Sequence, residues 1–193
     1  MREFVVLAHD DPGDVSLEDL PGAGRLDLLA RAVTASLLRS HGVREDSRCR
    51  IVFRALDAVV TVDGATVRRL NPDERSTAAR VRDALAAREE AVGHQPVEVS
   101  PGVRCSRRPL EAVLGDADTL LTLHERGRPV VDVDPFGATT VVLSDHRSFT
   151  DDERALLEER STATVSLGPE PIHADQAIVV AHNYLDTGGY RRY

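Results

Sequence analysis

"TATVSLGPEPIHADQAIVVAHNYLD", from Thr162 to Asp186, holds a strand, a loop and a helix in succession. β-Branched residues at Thr162, Thr164 and Val165 suit a short strand. Gly168, Pro169 and Pro171 follow, and they prolong neither a strand nor a helix. Ala174, Ala177, Ile178, Ala181 and Leu185 then recur at helical spacing. A strand with a polar loop occurs twice upstream. "DTLLTLHERG", from Asp118 to Gly127, reads as strand then loop. "ATTVVLSDHRSF", from Ala138 to Phe149, reads the same way, and "TDDERALLEER" continues it as a helix opened by a capping box of Thr150 with Glu153. Strands alternating with helices predict an α/β fold with a mostly parallel sheet.

Working outward, "EFVVLAH" is a buried strand and "SLEDLPGAG" a loop. "RLDLLARAVTASLLRSHG" carries apolar residues at helical spacing, with Gly42 as its stop signal. "RCRIVFRAL" is a strand, and "AVVTVDGATVRRL" alternates around Asp63-Gly64, a hairpin signal. "NPDERSTAARVRDALAAREE" is a helix that Asn71 can cap. "PVEVSPGV" is a short strand and "PLEAVLG" a short helix. With no repeat and no linker, residues 1–193 are expected to form a single domain.

The chain has 32 acidic and 24 basic residues, a formal net charge of −8. Every basic residue is arginine, which suggests a halophilic source, a genome rich in G and C being the alternative. The arginines cluster, notably Arg68, Arg69, Arg75, Arg80 and Arg82. For any one of them, pairing with a nearby carboxylate is the ordinary expectation. No apolar run is long enough for a membrane span, and Cys49 and Cys105 lack metal or disulfide spacing. A cytoplasmic location is expected.

In such sheets ligands bind beyond the carboxyl ends of the strands. "LHERG", "LSDHRSF" and "SLGPEPIHAD" all leave strands at that edge, which predicts one site built by three loops. Glycine-rich dinucleotide and P-loop fingerprints are absent, and so is a GxSxG elbow. Ser144, Asp145 and His146 are consecutive, so in an extended segment they point to alternating sides and make no triad. His173, Asp175 and His182 lack an HExxH spacing, and no metal is expected. His124, His146 and His173 read as loop-ordering or ligand-contacting groups.

These loops resemble the cofactor-binding loops of the SPOUT methyltransferases, with "LSDHRSFT" and "SLGPEPIHADQAI" matching the second and third knot loops. From "REFVVLAHD" through "GRLDLLARAV", "LNPDERSTA" and "LHERG" to "AHNYLD", the chain is similar to the archaeal tRNA pseudouridine N1-methyltransferases. The resemblance implies a C-terminal trefoil knot within about residues 118–193, helices on both sheet faces and a homodimer joined through the last helix. It implies S-adenosylmethionine as cofactor, tRNA as partner and pseudouridine 54 as acceptor. Another RNA acceptor, or a non-catalytic RNA-binding protein of this fold, is the rival reading.

The implied cofactor residues are Leu123, His124 and Gly127 in the first loop. In the second they are Leu143, Ser144, Asp145 and His146. In the third they are Ser166, Leu167, Gly168, Pro169, Ile172, His173 and Ala177. Gly168 allows close backbone approach, the prolines stiffen the loop, and the leucines and Ile172 supply apolar walls. Arg147 stands where many relatives carry glycine, and Ala177 where cysteine is expected, so contacts there rest on backbone. Candidates for removing the N1 proton are Asp10 and Asp27. Arg25, Asn71, Arg75 and Ser76 are the RNA-contact candidates, although Asn71 doubles as a helix cap.

Overall fold

The computed structural model describes residues 1–13, 15–92, 94–134 and 137–193. Its frame is one eight-stranded sheet. Strand β1 (Arg2–Ala8) lies inside a parallel block, between β4 (Ser47–Phe53) and β9 (Thr139–Ser144). Beyond β9 the parallel block continues through β8 (Leu120–Pro129) to β10 (Ala163–Ser166). On the other side β4 pairs antiparallel with β5 (Ala58–Asp63), β5 with β7 (Val103–Ser106), and β7 with β6 (Val97–Ser100).

Helices cover both faces. The larger core packs α1 (Leu26–Leu37), α2 (Glu74–Ala86) and α5 (Ala174–Asp186) over Phe4, Val6, Cys49, Ile51 and Val60. The smaller core packs α3 (Leu110–Leu114) and α4 (Asp151–Arg160) over Val5, Leu7, Val52, Val59 and Val142. Side chains alternate across a strand, so neighbouring residues of β1 serve opposite cores. That is why β1 is apolar almost without interruption.

Four local expectations are corrected. Helix α1 ends at Leu37, not at Gly42, because Leu38 turns extended. Residues Leu38–Arg39 and Gly42–Val43 then pair as a minute hairpin, β2 and β3. Asp63-Gly64 joins no hairpin; β4 and β5 turn at Leu56 and Asp57 instead. Gly64 is needed for a different reason, since a Cβ there would lie 2.0 Å from the Arg44 carbonyl oxygen. Helix α2 is capped by Asp73, whose carboxylate accepts the Ser76 N–H at 2.8 Å, and not by Asn71. "PVEVSPGV" contributes to two strands, β6 and β7, and not one. The capping box of α4 is present as read.

Helix α5 is fixed to the sheet by a buried histidine. His182 Nε2 donates to the Ser36 carbonyl at 3.0 Å, and its Nδ1 accepts from Arg2 at 3.3 Å. That pattern requires the neutral ring. Burial first, then the Arg44 cation, push its pKa down to about 4. Ala174, Ala177 and Ala181 face inward against the core. They pack within the chain and leave the outward face of α5 to other residues. The outward stripe of α5 carries Gln176, Val179, Asn183 and Asp186.

Candidate functional site: a three-loop cleft

The carboxyl ends of β8, β9 and β10 open into a cleft of about 450 Å³. That size suits a small organic ligand. Its first wall comes from an irregularity in β8. Between Thr164 and Val165 of β10, the partner position on β8 advances from Thr122 to Arg128. Leu123–Gly127 therefore leave the ladder, which is why "LHERG" reads as a loop although the strand continues past it. Leu123 and His124 line the cleft. Gly127 does not. A Cβ on Gly127 would meet the Val165 backbone at 2.5 Å, so glycine is required where β8 and β10 cross closely.

The second wall is Leu143–Phe149, held by a buried charge network. Both nitrogens of His9 face carboxylates: Nδ1 meets Asp145 Oδ1 at 2.9 Å, and Nε2 meets Glu153 Oε2 at 2.9 Å. Two carboxylate acceptors require two N–H donors, so His9 is an imidazolium. The bond to Asp145, acting against burial, raises its pKa above the ordinary 6.5. Burial alone would raise Asp145 and Glu153, yet the bonds from His9 hold both below the ordinary carboxylate range. Asp145 also accepts the backbone N–H groups of His9 and Arg147, at 2.9 and 2.8 Å. Glu153 accepts from Arg54 Nε at 2.9 Å and from the Thr150 N–H at 2.9 Å. Both carboxylates are 1% exposed at the side chain, so the Asp145 carboxylate holds the loop's shape although the residue itself lines the cleft.

The sequence does not pick out His9, and it picks out Glu153 only as part of the α4 capping box. The usable signal was slight: His9 follows the central strand at the edge where the loops gather.

The third wall is Leu167–Ala177. Leu167, Gly168, Ile172, His173 and Ala177 line the cleft, whereas Ser166 and Pro169 do not. Nothing lies within 4 Å of a Cβ built on Gly168, so the space beside its backbone is open. Apolar lining comes from Leu123, Leu143, Leu167 and Ile172, and the first turn of α5 presents free N–H groups at the rim. His124 stacks on Phe149 with ring centroids 6.4 Å apart, which joins the first wall to the second. An apolar slot with open backbone beside a glycine fits a flat heteroaromatic group read by main-chain bonds. Among the described residues, no group of three or more His, Cys, Asp or Glu side chains converges as a metal site would need.

The proton-acceptor candidates differ. Asp10 contacts His146 Nε2 at 3.1 Å and also Arg147, and both partners line the cleft. Asp27 is tied to Arg25 Nε at 3.0 Å and to Arg31 at 3.4 Å. Burial would raise Asp27, but the Arg25 bond lowers it overall, which makes it a poor proton acceptor. Arg31 also reaches Glu74 at 3.1 Å and Asp175 at 3.2 Å. One cation thus joins the first turns of α1, α2 and α5.

The RNA-contact candidates lie on the α1 and α2 side of this cation. Arg25 holds Asp27 from a left-handed backbone, φ 58°. Asn71 and Arg75 are exposed. The Ser76 hydroxyl donates to Asp73 at 2.6 Å, so Ser76 is engaged in the helix cap.

The family described as "Putative SAM-dependent RNA methyltransferase" matches residues 1–190. The chain belongs to this family. Similar proteins include one of Natronomonas pharaonis, 53% identical over the whole of both chains. Another, of Haloarcula marismortui, is 52% identical over the same full extent. One of Methanopyrus kandleri is 44% identical over 96% of this chain and 93% of its own. All three are named tRNA (pseudouridine(54)-N(1))-methyltransferase. Among solved structures, Archaeoglobus fulgidus Nep1 bound to S-adenosylhomocysteine superposes with a TM-score of 0.64 at 12% identity. It covers 96% of this methyltransferase and 97% of its own chain, so the fold is shared end to end.

Proposed function

We propose that this methyltransferase transfers a methyl group from S-adenosylmethionine to N1 of pseudouridine at position 54 of tRNA. The reading rests on full-length similarity, across 100% of both chains, to relatives carrying that name. The three-loop cleft is the donor site in this reading. Leu123, Leu143, Leu167 and Ile172 enclose the flat base, and backbone at Gly168 and at the α5 rim reads its edge. His124, Ser144, Asp145, His146, His173 and Ala177 complete the walls. The bound donor supplies a methyl group on a positively charged sulfur.

The chain has three tasks. It aligns the acceptor nitrogen in line with the methyl carbon, excludes water, and disposes of the N1 proton. In this reading Asp10, which contacts the cleft residues His146 and Arg147, takes that proton. Arg25, Asn71 and Arg75 approach the RNA, whose target base turns out of its stack to reach the cleft. Residues 1–193 act as one catalytic domain. A knot in residues 118–193 is in keeping with the strand order β10-β8-β9 and with the return of α5 onto α1. A homodimer would use the outward stripe of α5 around Val179, which is 56% exposed, beside Ile172, 45% exposed. The acidic, lysine-free surface fits a halophilic archaeal cytoplasm. No helix is long and apolar enough to cross a membrane among the described residues.

Incubation with methyl-labelled cofactor and two tRNAs, one with pseudouridine and one with uridine at position 54, tests the reaction. Label should enter only the pseudouridine tRNA, on the base. Label on a ribose hydroxyl, or equal label in both, would replace this reading with another RNA acceptor. Cofactor binding without transfer to any RNA would favour the non-catalytic alternative.

A further inference from the structure

The arginines of this chain are mostly paired. Arg2, Arg44, Arg48, Arg50, Arg54 and Arg108 each lie within ion-pair distance of a carboxylate. In a chain of net charge −8 that is the ordinary outcome. The turn between β5 and α2 departs from it. Among the described residues, Arg68, Arg69, Arg75 and Arg80 have no carboxylate within 4.0 Å. Arg68, Arg69 and Arg75 are exposed.

The two acids of the same stretch are held elsewhere. Asp73 is occupied by the N–H and hydroxyl of Ser76, and Glu74 by Arg31. Arg80 is not free either. Its NH2 group donates to the carbonyls of Arg68 at 3.0 Å and Arg69 at 2.8 Å. That brace holds Arg69 in the left-handed region, φ 54°, which a residue other than glycine seldom adopts. A strained turn, braced from below, thus presents two adjacent guanidinium groups with no carboxylate partner among the described residues, Arg68 donating only to the carbonyls of its own turn, Val67 at 3.0 Å and Ala65 at 3.5 Å. Guanidinium forks match phosphate oxygens bidentately.

We infer that Arg68 and Arg69 form a docking site for the sugar–phosphate backbone of the RNA substrate, with Arg80 as the brace that aims them. The inference rests on the tRNA reading above. The site is separate from the methyl-donor cleft, yet close to it in the ion-pair network. Glu74, in the first turn of the neighbouring helix, shares Arg31 with Asp175, which stands between cleft residues Ala174 and Gln176. Backbone phosphate is the fitting partner because the site offers charge without a pocket for a base edge.

The test compares wild type, the double variant Arg68→Gln/Arg69→Gln, the charge-retaining Arg69→Lys, and Arg160→Gln as a control at a paired arginine. Binding of tRNA and of S-adenosylmethionine is measured over a range of salt in which all four stay folded. The double variant should bind tRNA roughly tenfold more weakly, and its log K against log salt should be shallower by about 1 to 2. Its cofactor affinity should be unchanged. Arg69→Lys should lose less, and Arg160→Gln nothing. Wild-type tRNA affinity and salt slope in the double variant would overturn the docking site while leaving the reaction intact. If wild type itself neither binds nor methylates tRNA, the substrate reading falls first and the docking site falls with it.

Discussion

The second and third loops of the cleft border the same space but are held by opposite means. Leu143–Phe149 rests on two buried carboxylates, an imidazolium and Arg54, with bonds reaching back to His9 and forward into α4. Gly168–His173 is exposed at every residue. Its side-chain bonding among the described residues is local, from the His173 N–H to the Gln176 side chain at 3.2 Å. Two prolines, and not tertiary contacts, limit its freedom. One wall is fixed before a ligand arrives, and the other is stiffened only along its own chain. A cleft built this way keeps one invariant surface for register and leaves the other able to settle on what it receives.

The largest effect should follow from breaking the fixed wall. His9→Ala leaves Asp145 and Glu153 buried without their shared cation, at a cost of about 3–5 kcal/mol. For a chain of this size that lowers the melting temperature by roughly 6–20 °C, readable by calorimetry. An unchanged transition would mean that the network contributes nothing to stability.

At the open wall, Gly168→Val should leave melting unchanged, because nothing lies within 4 Å of the added Cβ. Cofactor affinity measured by titration calorimetry should fall at least about tenfold, since the branched side chain occupies ligand space. Wild-type affinity in the folded variant would remove Gly168 from the site.

The fixed wall should also carry a pH response. His9 lies above its ordinary 6.5, so its stabilisation is complete below that value and is lost as pH rises through the folded pKa. Asp145 and Glu153 lie below their ordinary 3.8 and 4.5, so theirs is present above those values and is lost as pH falls through the folded ones. The melting difference between wild type and His9→Ala should therefore be greatest between about pH 4.5 and 6.5 and shrink on both sides. His182 acts in the opposite sense to His9. With its pKa pushed down to about 4, it withdraws stability as pH falls from 6.5 toward that value, in wild type and variant alike. A difference curve that is flat across this range would argue against an imidazolium at position 9.

The smallest effect is expected at Pro171→Ala. It should weaken cofactor binding by roughly 0.4–1 kcal/mol through added loop entropy, with no change in the ordered fold. An effect as large as that of Gly168→Val would mean that the loop is shaped by contacts and not by its own stiffness.

The alternation of strands and helices was legible because each element carries its own period, and the capping box of α4 because its two residues are three apart. The cleft's position followed from the parallel strands alone. What stayed hidden depends on distant partners. Gly42 looks like a helix stop, but the segment from Leu38 to Val43 folds on itself and ends α1 earlier. Asp63-Gly64 looks like a hairpin, but the Asp63 carboxylate is drawn to Arg48 at 2.8 Å and Arg104 at 3.3 Å. His9 gave no local sign, since its partners stand far along the chain at Asp145 and Glu153. The excursion of Leu123–Gly127 emerges only from the register of β10 against β8.

Strand β1 precedes every other described strand in the sequence and lies inside the parallel block, with Arg2 opposite both Ser47 and Thr139. Its two edges are therefore satisfied at very different times. The β4 side can close once residues through Phe53 exist, while the β9 side waits for residues through Ser144. Contacts of such sequence separation slow folding, and an apolar strand with one open edge is exposed to wrong partners in the interval. Of the two edges of β1, the one that pairs with β9 is left open the longer.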